Sequence, residues 1–255
     1  EYRMLRFDIL TLFPDMFMGP FDESIINRAT RKKLIEIKVH NLRDHTHDVH
    51  RTVDDTPFGG GPGMILKAEP LFEAISTICS DNLDKTKVIA LTPTGRKLNQ
   101  LMVRELAQES NLVLVCGRYE GFDERFLDGT VDLEISVGDF VVSGGELPAM
   151  MMIDAISRQV AGVLGSPESL EEESFNEGGL LEYPQYTRPA IFNNQQVPDV
   201  LLSGDHERIR MWRRYKSLQR TIERRPDLLS DIDKSKADLN LLAQRMPVAD
   251  LNEST

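Results

Sequence analysis

Short runs of apolar residues constrain the fold of this chain most strongly. Leu112–Cys116 is apolar at every position, and Val88–Thr92 is nearly so. A strand that is apolar throughout must be buried on both faces, as happens in parallel sheets that are covered by helices. Between these two runs, Leu98, Met102 and Leu106 recur at helical spacing. The sequence therefore predicts an α/β fold with a mostly parallel sheet that helices cover.

The remaining periodic segments extend this strand and helix alternation. They predict strands over Phe7–Leu12, Ile35–Leu42 and Val131–Ser136, and helices over Ser24–Leu34, from Pro70 onward and over Ala149–Val160. Pro93-Thr94-Gly95 predicts a turn that ends the strand 88–92. Further helices are predicted over His206–Glu223 and 239–243. We expect an α/β domain over 4–164, a flexible linker over 165–178 and a small helical domain over 179–255.

The charge distribution is uneven. The formal net charge of −11 argues against a generic nucleic-acid-binding protein. Acidic residues nevertheless concentrate at 168–173 and in the tail, so a polyanion can still bind locally to a basic segment. The alternative interpretation is a solvated helix face. The basic residues form two groups: Arg28, Arg31, Lys32, Lys33 and Lys38, and later Arg208, Arg210, Arg213, Arg214, Lys216, Arg220, Arg224 and Arg225.

Composition indicates the compartment. Apolar runs such as Ala149–Ile153 are too short to cross a bilayer, so no membrane association is expected. Arg3 and Arg6 precede only a short strand-like run, which does not resemble a signal peptide. The two cysteines, Cys79 and Cys116, lie in apolar segments and form no disulfide framework. A reducing cytoplasm is the expected location.

Three glycine-bearing loops follow predicted strands: Thr92–Gly95, Cys116–Gly121 and 137–148, which reads VGDFVVSGGELP. In open parallel sheets, ligands bind beyond the carboxyl ends of the strands. No G-x-G-x-x-G follows a strand and no G-K-[ST] is present, so neither common nucleotide loop explains these segments. We therefore predict a cofactor pocket of an unusual type, in which the main chain contacts the ligand.

Several long motifs resemble the bacterial tRNA (guanine-N1)-methyltransferase family. They read HRTVDDTPFGGGPGM, LTPTGRKL, CGRYEGFDER, SVGDFVVSGGELPA, YTRP and WRRYKSLQRT, within roughly 4–229. The resemblance implies a methyltransferase of the SPOUT class with a deep trefoil knot, which sequence rules alone would not propose. It further implies a homodimer that uses S-adenosylmethionine to methylate N1 of guanosine 37 of tRNA, beside the anticodon. The α/β domain would then bind the cofactor and the helical domain would bind RNA.

The resemblance also implies which residues line the cofactor pocket. Phe140 stands where the family generally has Tyr, so the ring is kept and the hydroxyl is lost. Main-chain groups of 137–142 would hold the adenine, and Gly144-Gly145 would admit a bent cofactor. The implied set is Leu91, Thr92, Pro93, Gly117, Tyr119, Glu120, Val137, Gly138, Asp139, Phe140, Val141, Val142, Gly144, Gly145 and Pro148.

Two catalytic residues follow from the same resemblance. Guanine N1 carries a proton that a base must remove, and charge then develops on O6. The family typically reads E-D-S-F where this chain reads Glu172-Glu173-Ser174-Phe175, so Glu173 takes the position of the base. Glu171 and Glu172 are alternative bases. Arg158 matches the family arginine that would face O6, and otherwise it is an ordinary surface arginine.

The other polar and aromatic residues leave alternatives open. The glycine-rich segment 57–63 suits close approach of an RNA backbone. Trp212 and Tyr215 either pack in a core or stack on bases. His45, His47 and His50 lack the spacing of a metal site. The family implies a magnesium requirement with Glu120 as a contributor, although no metal site is legible in the sequence.

Two rival functions remain at this point. One is methylation of another RNA position by the same fold. The other is a cofactor-binding or RNA-binding module without turnover. This alternative remains because Glu173 stands where the family has aspartate. The thiol of Cys116 is a further candidate nucleophile only if a base lies nearby, and packing at the end of a strand is the alternative.

Overall fold

The computed structural model describes residues 3–80, 85–165, 172–175 and 179–230. The chain divides into two compact units, Glu1–Pro167 and Glu168–Thr255. The division falls inside the predicted linker 165–178, whose flexibility stays a prediction. The helix predicted over 239–243 lies outside the described residues.

A five-stranded sheet forms the centre of the first unit. All its neighbouring strands are parallel, in the order β2-β1-β6-β5-β7. This arrangement confirms the predicted α/β class. The strands are β1 (Leu5–Thr11), β2 (Ile35–Asn41), β5 (Thr86–Lys97), β6 (Asn111–Cys116) and β7 (Leu133–Ser136), while the two-residue strands β3 (Asp54–Asp55) and β4 (Ile65–Leu66) pair separately and antiparallel.

Five α-helices accompany this sheet. They are α1 (Ser24–Arg31), α2 (Ala68–Ile78), α3 (Gln100–Leu106), α4 (Glu124–Thr130) and α5 (Glu146–Ser157). Two short 3-10 helices, Pro14–Phe17 and Leu42–His45, complete the described elements of the unit. Among all described helices, none has the length and apolarity that crossing a bilayer requires.

The apolar strand β6 contributes to two separate cores. Leu112 and Leu114 pack into one core with residues of α1, α3 and α5. Val113 and Val115 point to the other face and pack with residues of α2 and α4. Because alternate side chains of a strand point to opposite faces, a strand with helices on both sides needs apolar residues at every position. Burial on both faces therefore explains the pattern that predicted the fold.

The predicted end of the second apolar strand was wrong. Instead of turning at Pro93-Thr94-Gly95, β5 pairs with Ile135 of β7 at Leu91 and again at Arg96. Residues 92–95 form a large bulge between these two pairings. Gly95 permits it, because a Cβ added there would lie 2.5 Å from the backbone nitrogen of Ile135.

Smaller differences concern the helix ends. Ser24 is the first residue of α1 and Glu23 precedes it as the cap residue, while the helix ends at Arg31 and not at Leu34. Pro70 is the third residue of α2, not its start. Local propensity defines helix ends only to within a few residues.

The described residues of the second unit are mainly helical. Its longest element is α7 (His206–Arg224), whose cap residue Asp205 accepts hydrogen bonds from the first turn. Trp212 is buried and lies beside Tyr186, with ring centroids 6.4 Å apart, so Trp212 is a core residue and cannot stack on RNA. The other elements are β8 (Ile191–Phe192) paired with β9 (Gln195–Gln196), α6 (Asp199–Leu202) and the 3-10 helix Pro226–Ser230.

Candidate active site

A cavity of about 250 Å³ lies beyond the carboxyl ends of β6 and β7 and beside the bulge of β5. Its walls come from the three glycine-bearing loops that the sequence predicts to meet. The three strands are neighbours in the sheet, so their loops converge on one edge. Leu127 of α4 and Pro148 of α5 also line the cavity.

Most of the predicted cofactor residues line this one cavity. Two do not. The Asp139 side chain is 84% exposed and forms an ion pair with Lys97 at 2.9 Å. The Gly138 carbonyl accepts hydrogen bonds from Ser136 Oγ and Phe140 N, each at 2.9 Å. The residues that do line it are Leu91, Thr92, Pro93, Gly117, Tyr119, Glu120, Val137, Phe140, Val141, Val142, Gly144, Gly145 and Pro148.

Two glycines let the loops approach each other closely. The N–H of Gly145 donates a hydrogen bond to the carbonyl of Gly117 at 2.8 Å. A Cβ added to Gly145 would lie 2.7 Å from Cα of Cys116, and one added to Gly117 would lie 2.9 Å from the carbonyl oxygen of Leu91. Both distances are shorter than real contacts allow. The backbone at these positions therefore forms the wall of the cavity directly.

The glycine-rich segment 57–63 ends against the same cavity. The N–H of Glu120 donates a hydrogen bond to the carbonyl of Met64 at 3.0 Å. A Cβ added to Gly63 would lie 2.7 Å from the carboxylate carbon of Glu120. Phe58, at the other end of the segment, is fully exposed. The segment thus combines an exposed ring with close backbone approach to a residue that lines the cavity.

Sequence reasoning missed a buried ion pair behind this wall. Arg118 Nη2 lies 2.8 Å from Glu146 Oε2, and the Glu146 side chain is fully buried. Thr11 donates its hydroxyl to Glu146 Oε1 at 2.7 Å, and Arg118 donates to the carbonyl of Ser143 at 3.0 Å. The available signal was the arginine of the glycine motif CGRYEG and the glutamate of the glycine motif SGGELP.

The two predicted catalytic residues belong to different units. Arg158 is half-buried at the C-terminal end of α5 in the first unit. Glu173 is half-buried in the second unit. Its neighbour Glu172 accepts a short hydrogen bond from the Tyr183 hydroxyl and lies 3.3 Å from Arg213.

The pKa of Tyr183 reflects its partial burial and its hydrogen bond to Glu172. Partial burial and the hydrogen bond to Glu172 raise the pKa of Tyr183 to about 12. The guanidinium of Arg213 lies over the Tyr183 ring, 4.8 Å from its centroid. Glu172 is therefore held by a hydroxyl donor and a cation within the second unit.

The remaining sequence candidates have structural roles. His47 lies 2.7 Å from Glu73. Complete burial raises the pKa of the Cys116 thiol well above its ordinary value, which makes it a poor nucleophile at neutral pH. Within the described ranges, no group of three or more His, Cys, Asp or Glu side chains is arranged to hold a metal ion.

Fold and cavity together define an α/β protein with a cavity that main-chain loops form at one edge of a parallel sheet. The sequence matches the tRNA (guanine-1)-methyltransferase TrmD family over residues 5–231, and the chain belongs to this family. The predicted resemblance is thereby confirmed. The family is one of the SPOUT class, and the knot stays an implication of membership.

Curated relatives agree with this assignment along most of the chain. A tRNA (guanine-N(1)-)-methyltransferase of Dehalococcoides mccartyi is 53% identical over 93% of this chain and 96% of its own length. The protein of the same name from Dictyoglomus turgidum is 54% identical over 94% of this chain and 96% of its own length. That of Geobacter sp. is 52% identical, with coverage of 94% and 96%.

We predict that Gly145→Ala destabilises the protein by about 1–3 kcal/mol, because the new methyl group overlaps the backbone of Cys116 and Gly117. The φ of Gly145 is −77°, which alanine adopts readily, so the effect is steric. Urea denaturation measures the change. Gly165→Ala is the matched control, since a Cβ there meets no atom within 4 Å. Equal stability of both variants would contradict the close packing at Gly145.

Proposed function

We propose that this protein transfers a methyl group from S-adenosylmethionine to N1 of guanosine 37 in tRNA. The observation that carries the proposal is the single cavity formed by three loops, which contain the motifs of the family. The curated relatives are named for methylation of guanine N1 in tRNA. Their high coverage supports the same activity for the whole chain.

The residues of the cavity suit S-adenosylmethionine. Apolar side chains such as Leu91, Val137 and Pro148 provide surfaces for a flat adenine ring. Gly117 and Gly145 leave the main chain open to the ligand, since side chains there would overlap neighbouring backbone. When bound, the cofactor supplies an electrophilic methyl group on a cationic sulfur.

The chain itself must supply proton removal and charge stabilisation. We assign proton abstraction from guanine N1 to the carboxylate of Glu173, and stabilisation of charge on O6 to the guanidinium of Arg158. A carboxylate and an arginine suit these tasks because the base acts at N1 while the cation acts at O6. Glu173 has the functional group of the family aspartate on a side chain one methylene longer.

The contacts of Glu172 argue against Glu172 as the base. Glu172 already accepts the Tyr183 hydroxyl and pairs with Arg213. A carboxylate whose oxygens already contact a hydroxyl donor and a cation is less available to contact a substrate proton. Glu171 lies outside the described residues. Glu172 is thus better suited to anchoring this segment than to removing a proton.

Magnesium enters no step of this mechanism. Glu120 and Glu124 line the cavity, but within the described part of the chain no group of three or more acidic, histidine or cysteine side chains is arranged to hold a metal ion. A hard cation such as Mg²⁺ needs several oxygen ligands in octahedral geometry. The described residues therefore do not fit a protein-held magnesium ion, and a requirement for the metal would need ligands from outside them.

RNA contacts are assigned to two surfaces, one in each unit. In the second unit, exposed arginines of α7 such as Arg208, Arg210 and Arg224 suit phosphate contacts. In the first unit, the segment 57–63 carries the exposed Phe58, whose ring can stack on a base. The arginines of α7 supply local positive charge to a protein of formal net charge −11, as binding of a cytoplasmic tRNA requires.

A homodimer is supported by an exposed apolar patch on the first unit. The 3-10 helix Pro14–Phe17 contacts α5, and both present apolar side chains to solvent.

Leu147→Glu should shift the protein to a monomer in sedimentation equilibrium, whereas Val49→Glu, at a separate exposed site, should leave a dimer. A monomeric wild-type protein would contradict the proposal. The patch consists of Phe13, Met16, Met18, Leu147 and Met151.

The activity is tested with two tRNA transcripts that differ only in G or A at position 37. We expect methyl incorporation from labelled S-adenosylmethionine into the G37 transcript alone, with 1-methylguanosine in the nuclease digest. Methylation of the A37 transcript would indicate another target position. Binding of the cofactor by calorimetry without any methylation would instead indicate a binding module.

We predict that Glu173→Gln lowers the single-turnover methylation rate about a thousandfold, because the amide cannot accept the N1 proton. Cofactor affinity should change little. Glu172→Gln is the matched control and should retain most of the rate, since Tyr183 can still donate to the amide oxygen. A larger loss in Glu172→Gln than in Glu173→Gln would move the base to Glu172.

A further inference from the structure

The buried ion pair between Arg118 and Glu146 has a place in the cofactor site. Arg118 lines the cavity, and Glu146 lies behind it at the start of α5. We propose that the two form a positioning pair, which holds the loop 143–145 in shape and balances the charge of Arg118 beside a cationic ligand. This inference rests on the proposed function, since the ligand is S-adenosylmethionine.

The guanidinium of Arg118 fixes the loop from one side. It donates to the carbonyl of Ser143 at 3.0 Å, and its Cζ lies 4.5 Å from the centroid of the Phe13 ring. A Cβ added to Gly144 would lie 2.5 Å from Cζ of Arg118 and 2.5 Å from Oε2 of Glu146. Arg118 therefore occupies the space that any side chain at position 144 would need.

Glu146 in turn holds Arg118 in place. Its carboxylate is fully buried: one oxygen accepts a hydrogen bond from the Thr11 hydroxyl, and the other forms the ion pair with the guanidinium at 2.8 Å. It is also the first residue of α5, where the helix dipole favours negative charge. A buried carboxylate needs a partner cation, so the position of Arg118 is strongly determined.

The charge balance matters because of the ligand. S-adenosylmethionine carries a positive sulfonium, whereas the product S-adenosylhomocysteine has a neutral thioether. An arginine in the wall would repel the sulfonium through a poorly screened medium. Glu146 cancels this repulsion. Removing its charge should therefore weaken binding of the substrate more than binding of the product.

The first experiment measures dissociation constants for both ligands by calorimetry, together with thermal unfolding of the ligand-free protein. For Glu146→Gln, we expect the affinity for S-adenosylmethionine to fall by at least about fivefold more than that for S-adenosylhomocysteine. Thr11→Val is the matched control, since it removes the other partner of the same carboxylate. It should lower the unfolding temperature but leave the ratio of the two affinities unchanged.

The second experiment tests the shape of the loop 143–145 through the affinity for the neutral product S-adenosylhomocysteine alone. Gly144→Ala should weaken binding of S-adenosylhomocysteine about tenfold, because the methyl group displaces Arg118. In an Arg118→Ala background, the same substitution should have an effect at least about threefold smaller, as expected for residues in contact. This double-mutant cycle decides the question if Glu146→Gln does not fold.

The outcomes separate the two proposals. A wild-type protein that binds neither ligand overturns the proposed function and this inference with it. A wild-type protein that binds both, with an unchanged affinity ratio in Glu146→Gln and additive effects of Gly144→Ala and Arg118→Ala, overturns the positioning pair alone.

Discussion

The hydrogen bond from the Gly145 N–H to the Gly117 carbonyl joins the two loops on which the site depends. One loop follows β6 and the other precedes α5. The contact is possible only because neither residue has a side chain, since a Cβ at either position would overlap neighbouring backbone. Parallel strands bring the loops to the same edge, and this bond then brings their backbones together. The cavity and its main-chain wall follow from that approach.

The buried ion pair between Arg118 and Glu146 lies behind the same two loops. Glu146 begins the helix that follows the loop, and Arg118 belongs to the loop after β6. Their ion pair therefore spans the same two segments as the backbone hydrogen bond. Buried ion pairs add little net stability compared with apolar packing, but they specify one arrangement. The pair thus serves the geometry of the site more than the stability of the unit.

Much of the fold was predictable because a strand that is buried on both faces needs apolar residues at every position. The all-apolar run at 112–116 required helices on both sides, and its alternate residues do pack into two cores. The glycine-bearing loops were predictable as a cavity because parallel strands end at one edge. The family residues of that cavity came from the resemblance, and most of them do line it.

Other features could not be predicted because they depend on distant partners. The continuation of β5 beyond Gly95 depends on β7, about forty residues later, since proline and glycine alone favour a turn. The partnership of Arg118 with Glu146 and Thr11 joins three separate segments. No local pattern reveals such a contact. The engagement of Glu172 by Tyr183 and Arg213 likewise depends on α7.

The bulge at 92–95 contributes residues to the cavity, while β5 pairs with β7 on both sides of it. Leu91 and Arg96, on either side of the bulge, both pair with Ile135. The pairing of β5 with β7 therefore continues after the bulge from the same residue of β7. The pairing of β5 with β6 ends at Leu91, before the bulge, so changes at Thr92, Pro93 and Thr94 would leave it unaltered. The cofactor-facing side of β5 can therefore diverge among related enzymes while the central scaffold stays the same.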